Sequence, residues 1–232
     1  MISLDDRLLT VCKSVWAILP PAKRKAHVTA IGISDLGARN GSYDPQEGTI
    51  TLNYRLLGND TPQSIPMIDC DSNMPPQRYP CISRLFHTLT HEYFHAIGTG
   101  MQIDLALEWL ALSEWSQSLD TPQGTARYHE RRPGWNGQGP SDWRYNTSGT
   151  FFVREYSSRS PFEDQADCCT HLALGWTDAF THAPPLSRAN ALAKLAYLRR
   201  YVWEEKGVQA VQASRARWYA ARQPSACVLR EE

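Results

Sequence analysis

With 232 residues, 42% of them hydrophobic, the chain can bury a sizeable core, and its length falls between one large domain and two small ones. Lys plus Arg and Asp plus Glu number 24 each, so there is no basic excess to neutralise nucleic-acid phosphates or to hold an anionic membrane surface. The charge balance therefore argues against nucleic acid and against a membrane as partners.

Leu8, Leu9, Val11, Cys12, Val15, Trp16 and Leu19 recur at helical spacing, and Pro20-Pro21 stops the run, which predicts a first helix over 4–19. Asp5 and Asp6 precede this stretch and Lys13 interrupts it, a pattern that suits neither a signal peptide nor a membrane span. Cytoplasmic residence and export by a route without a cleavable signal both remain compatible with it. His27 to Ile33 alternates β-branched and small residues, Asn40-Gly41 is a turn signal, and Thr49 to Tyr54 alternates again. Two or three strands are expected. Thr61 to Pro80 contains five prolines and reads as a loop, until Cys81 opens a helical pattern that runs to about Ile97 with Gly98 ending it.

A second amphipathic helix is expected over Leu105–Leu119. Thr121 to Thr150 is rich in Gly, Pro, Asn and Trp without a sustained period, and an insert of that length reads as a lid or rim. Helical periodicity resumes from Pro161 to about Ala179, from Pro185 to Glu205 and from Val208 to Ala221. The six cysteines make no CxxC pair, so they offer no zinc-ribbon or thioredoxin-like spacing. Cys70 and Cys81 bracket the proline-rich loop and can form a disulfide in an oxidising compartment, although free buried thiols fit equally well.

The chemistry concentrates in His91-Glu92-Tyr93-Phe94-His95, an HExxH pattern inside a helix-forming run. At i and i+4 the two imidazoles share one face about a turn apart, so both Nε2 atoms can reach one Zn²⁺. Glu92 lies beside them, where its carboxylate can take a proton from a metal-activated water. The plain alternative is a pair of histidines on the exposed face of an ordinary helix. His87, four residues earlier, cannot join the pair: eight residues of helix separate it from His95 by about 12 Å. It is expected to be solvated or to stand behind a ligand.

A catalytic zinc takes three protein ligands and keeps one open position, so a third ligand is needed downstream. Metzincins continue the motif to a third histidine, but Met101 occupies that place here. Glu108 and Glu114 lie on the next helix, and Glu114, nineteen residues after His95, is near the separation used by thermolysin-like gluzincins; it lacks their NExxSD surroundings. The better candidate is Glu163. Ser160 can cap a helix that has Pro161 in its first turn, with Glu163 and Asp167 at i and i+4 on one face. One carboxylate can bind metal while the other accepts the ring N–H of a ligand histidine. For Asp164, in the same first turn, interaction with the helix dipole is the expected role.

Tyr156, then Glu163 seven positions on, then Asp164, Ala166 and Asp167, resembles the Y-x6-E-[DF]-x-A-E segment of the lethal-factor-like gluzincins, which include the Pro-Pro endopeptidases. The resemblance covers residues 89–98 and 152–167. It implies Glu163 as the third zinc ligand and Tyr156 as the hydrogen-bond donor to the oxyanion. It also implies that the strand before the HExxH helix pairs with the substrate backbone, which makes Thr51 and Asn53 substrate contacts and Thr49–Tyr54 an edge strand facing the cleft.

The expected fold is α+β and zincin-like: one domain over 1–232, with a small N-terminal mixed sheet packed on the HExxH helix (about 1–100) and a mainly helical C-terminal part (about 101–222). The expected function is zinc-dependent hydrolysis of peptide bonds in a protein or peptide substrate, with Glu92 as general base. Two rivals stand beside it. One is a non-catalytic protein stabilised by zinc; the other is a metal-free binding module that uses the aromatic run from Trp135 to Phe152.

Overall fold

The computed structural model describes residues 4–20, 28–58, 84–99, 103–117, 143–145 and 149–203. The proline-rich loop, Cys70 and Cys81, most of the Thr121–Thr150 insert and the expected helix over 208–221 lie outside them.

The architecture is α+β with a small mixed sheet and mostly helical content. Helix α1 (Leu4–Ile18) leads to strands β1 (Ala30–Ser34), β2 (Gly41–Asp44) and β3 (Thr49–Asn53), followed by a helical turn, α2 (Arg55–Gly58). Then come α3 (Arg84–Thr99), α4 (Ile103–Leu112), a two-residue pair β4 (Ser116–Gln117) and β5 (Trp143–Arg144), and a 3₁₀ turn at Glu155–Arg159. Helices α5 (Pro161–Leu174), α6 (Asp178–Thr181) and α7 (Arg188–Leu198) follow, and α7 runs into a π turn at Arg199–Trp203. Among the described residues no helix is long and apolar enough to cross a membrane.

The sheet order is β1-β3-β2, with β1 parallel and β2 antiparallel to β3. The expectation that Thr49–Tyr54 is an edge strand is therefore wrong: β3 is the central strand and its backbone pairs on both sides. Strand β2 folds back onto β3 through a tight turn. Asp44 Oδ1 accepts the N–H groups of Gln46 and Glu47, and Gly48 supplies a φ of +65°. Asn53 is buried, and its side-chain amide donates to the carbonyls of Gly37 and Arg39 at 3.1 and 2.7 Å. Its amide is engaged in shaping the loop before β2, and Thr51, in mid-strand, is equally removed from an open edge.

Helix α3 is the hub. From Leu85 to Phe94 every residue is buried, because the sheet and α1 cover one side while α5 covers the other. One apolar cluster joins Val15 and Ile18 of α1, Ile50 and Leu52 of β3, Phe86, Leu89 and Phe94 of α3, and Leu172, Leu195 and Trp203 of the C-terminal helices. Gly98 does not end α3, which continues to Thr99. A Cβ there would lie 2.7 Å from Gln165 Oε1, so the glycine serves the close approach of α5.

Helix α4 stops earlier than its apolar pattern predicts. Trp115 N–H bonds back to Leu110 O at 2.8 Å and Glu114 takes a φ of 51°, a left-handed cap that turns Trp115 into the interior. Helix α5 has the predicted start: Ser160 accepts from Glu163 N–H at 3.2 Å and Pro161 sits in the first turn. It ends at Gly175, with φ 73°, and not at Ala179.

Asp164 departs from the dipole account. It is fully buried, paired with Lys194 Nζ of α7 at 2.7 and 2.9 Å, and also accepts from the Trp115 indole N–H at 3.3 Å. Lys194, equally buried, donates further to Phe151 O at 2.6 Å. This pair fixes the first turn of α5, and with it the neighbouring Glu163.

Candidate metal centre

Helix α3 presents His91 and His95 on the face turned to α5, and the capped first turn of α5 brings Glu163 against them. His91 Nε2 lies 3.0 Å from His95 Nε2 and 3.0 Å from Glu163 Oε2, and His95 Nε2 lies 3.2 Å from the same oxygen. Among the described residues this is the group of His, Cys, Asp and Glu side chains whose donor atoms converge closely enough to hold a metal ion. Metal–ligand bonds of about 2.0–2.1 Å at tetrahedral angles place neighbouring donor atoms about 3.3 Å apart, and the three observed separations come within a few tenths of that.

The electrostatics agree with a cation at this point. Two imidazole nitrogens face each other beside a carboxylate oxygen, and a single proton between them would leave the remaining lone pairs opposed. Burial lowers the His91 imidazolium, but the Asp167 and Glu163 carboxylates outweigh it and push its pKa up to about 10. Burial likewise raises Glu163, yet its hydrogen bonds with His91 and His95 hold it well below the usual carboxylate range.

Glu92 shares the cleft and is buried; desolvation raises its carboxyl, opposed by His91 and His95. A carboxyl raised in this way takes up a proton more readily than an exposed glutamate. Strand β2 packs directly on it: a Cβ on Gly41 would lie 2.9 Å from Glu92 Oε1 and 2.7 Å from Thr88 Cγ2. Tyr156, in the 3₁₀ turn, donates its hydroxyl to Glu163 Oε1 at 3.0 Å. Desolvation and the Glu163 charge raise its pKa, which keeps the phenol protonated and able to donate. Asp167 Oδ1 lies 2.8 Å from His91 Nδ1, so the aspartate reaches the histidine across one turn of α5. His91, Glu92 and Tyr156 border a cleft of about 380 Å³ whose wall also includes Ala38, Arg39 and Asn40 from the loop before β2, and Arg154 and Arg159.

His91, Glu92, His95, Tyr156, Glu163 and Asp167 are thus brought together; Thr51 and Asn53 are not. Glu114 and Glu108 are exposed on or beside α4, outside the converging group. His87 is not solvated: it is buried between His91 and Trp176, at ring-centroid distances of 6.4 and 6.2 Å, and burial pushes its pKa well down. Sequence reasoning missed Gly41, Arg154 and Ser157. Arg154 donates to both Asp167 oxygens and Ser157 Oγ donates to Oδ2 at 2.8 Å. An arginine and a serine bracketing the Tyr156 position were visible in the chain, but no spacing rule assigns them a partner. Comparison with protein-family models, with curated proteins and with solved structures finds no match to this chain.

Proposed function

We propose that this chain is a zinc-dependent endopeptidase with a zincin-like arrangement, related in its site to the lethal-factor-like gluzincins. The observation that carries the reading is the convergence of His91 and His95 with Glu163, 68 residues further along the chain, beside a buried Glu92 and the Tyr156 hydroxyl. A structural zinc needs neither a general base nor a poised phenol.

His91, His95 and Glu163 would hold a zinc ion, which would supply Lewis acidity and lower the pKa of a water molecule to about 7. The Glu92 carboxylate takes the proton of that water as it attacks a peptide carbonyl, and later returns it to the leaving amine. Tyr156 donates a hydrogen bond to the oxygen on which negative charge develops, a contribution of about 2.7–4 kcal/mol for donors of this kind. Asp167 keeps the His91 ring proton on Nδ1 and leaves Nε2 free as a ligand. The peptide backbone is placed by β2. Its outer edge has no strand neighbour among the described residues, and its first residue touches Glu92, so an extended substrate adds to Gly41–Asp44 and not to β3.

The test is Glu92→Gln together with metal analysis. One zinc per chain, hydrolysis of unfolded protein by the parent, and a loss of at least about 10²–10⁴-fold in the variant with zinc retained are expected. Zinc without hydrolysis in the parent supports a non-catalytic zinc protein instead, and near-parental activity in Glu92→Gln removes the assigned base.

A further inference from the structure

The Asp167 carboxylate is fully buried and contacted on both oxygens. Oδ1 faces His91 Nδ1 at 2.8 Å and also accepts from Arg154 Nη2. Oδ2 accepts from Arg154 Nε at 2.7 Å and from Ser157 Oγ at 2.8 Å. Arg154 and Ser157 stand on either side of Glu155 and Tyr156 in the chain, and Ser157 N–H closes the turn on Arg154 O at 3.1 Å. The segment that presents the Tyr156 phenol is therefore anchored at both ends to the carboxylate that orients His91. The Arg154 guanidinium carbon also lies 4.9 Å from the Tyr156 ring centroid.

We propose that Arg154 is a positioning residue whose two-pronged grip on Asp167 sets both the zinc-holding orientation of His91 and the placement of the Tyr156 phenol. Two parallel N–H donors fix a carboxylate plane as a point charge cannot. A change in the grip therefore turns the Asp167 plane, and the His91 ring and the 3₁₀ turn move with it. The Tyr156 half rests on the peptidase reading above; the His91 half needs only a bound metal.

Arg154→Lys keeps the charge and removes the fork. Chelator competition on the purified variant is expected to show zinc held about 10–100-fold more weakly. Turnover per zinc-loaded molecule is expected to fall on the order of 10-fold or more at little-changed KM. In a Tyr156→Phe background the same substitution is expected to cost less than about 2-fold in turnover, since the hydroxyl it misplaces is already gone. Ser157→Ala, a milder change, is expected to follow the same pattern and serves if the lysine variant does not fold.

Zinc affinity unchanged in both variants overturns the proposal. Equal proportional losses of turnover with and without the Tyr156 hydroxyl overturn the link to Tyr156, because a merely structural role predicts them. If the zinc-loaded parent cleaves no peptide, the peptidase reading falls and the link to Tyr156 falls with it, while the chelator competition still decides whether Arg154 holds His91 through Asp167.

Discussion

Adding one methyl group at Gly41 tests how Glu92, the proposed general base, is held. The backbone of β2 runs so close to α3 that a Cβ at this position would lie 2.7 Å from Thr88 Cγ2, 2.9 Å from Glu92 Oε1 and 3.0 Å from Glu92 Cγ. Carbon atoms in contact prefer about 3.5–4.0 Å, so something must move by several tenths of an ångström to about 1 Å. Thr88 yields poorly, because its β-branched side chain is restricted within a helix. The Glu92 carboxylate yields first, and β2 shifts outward with it. Overpacking of this kind costs about 1–3 kcal/mol of stability. Misplacing a reacting group by about 1 Å costs on the order of 10² in rate. Gly41→Ala is therefore expected to lower peptide hydrolysis by on the order of 10²-fold and the urea midpoint modestly, with zinc content unchanged because no ligand is touched. Zinc content, urea unfolding and single-turnover hydrolysis on one preparation measure all three. Parental hydrolysis in Gly41→Ala would refute the argument that this close contact places Glu92.

Three further outcomes are expected. Glu163→Ala loses most of its zinc in equilibrium dialysis, whereas Glu114→Gly keeps zinc and unfolds at higher urea. Glu114 has a φ of 51°, and glycine relieves about 1 kcal/mol of backbone strain there. Lys194→Met leaves the Asp164 carboxylate buried without its ammonium and lowers unfolding free energy by about 3–5 kcal/mol; adding Asp164→Leu recovers much of this if burial of an unpaired charge is the cause. His171 is buried with its pKa lowered by desolvation to about 4, so the folded chain keeps it neutral where the unfolded chain protonates it. Stability contributed by the neutral ring is present above about pH 6.5 and is lost as pH falls toward 4, by about 2 kcal/mol between pH 7.5 and pH 5. Metal-free parent and His171→Gln compared by urea unfolding at those two values check it, and equal slopes refute it.

What could be read from the chain alone is what local geometry dictates. The i, i+4 spacing of His91 and His95 puts both rings on one helix face wherever that helix lies, and Ser160-Pro161 starts α5 whatever packs against it. Glu163 is favoured over Glu114 as a candidate ligand by its capped helix start, by Asp167 at i+4 and by the resemblance of its flanking residues, but no local rule brings it to the histidines. Folding separates them: Glu114 stays exposed in the αL turn after α4, while the buried Asp164–Lys194 pair ties the first turn of α5 to α7 and Glu163 of that turn lies against His91 and His95. Alternation over Thr49–Asn53 identifies a strand, because side chains alternate with period two in any sheet position. It carries no information about which strands lie on either side. The order β1-β3-β2 therefore appears only in the tertiary structure, and with it the transfer of the cleft edge to β2. The same limit hid Arg154 and Gly41. A charge names its partner, and a glycine its close neighbour, only when a distant segment has arrived beside it.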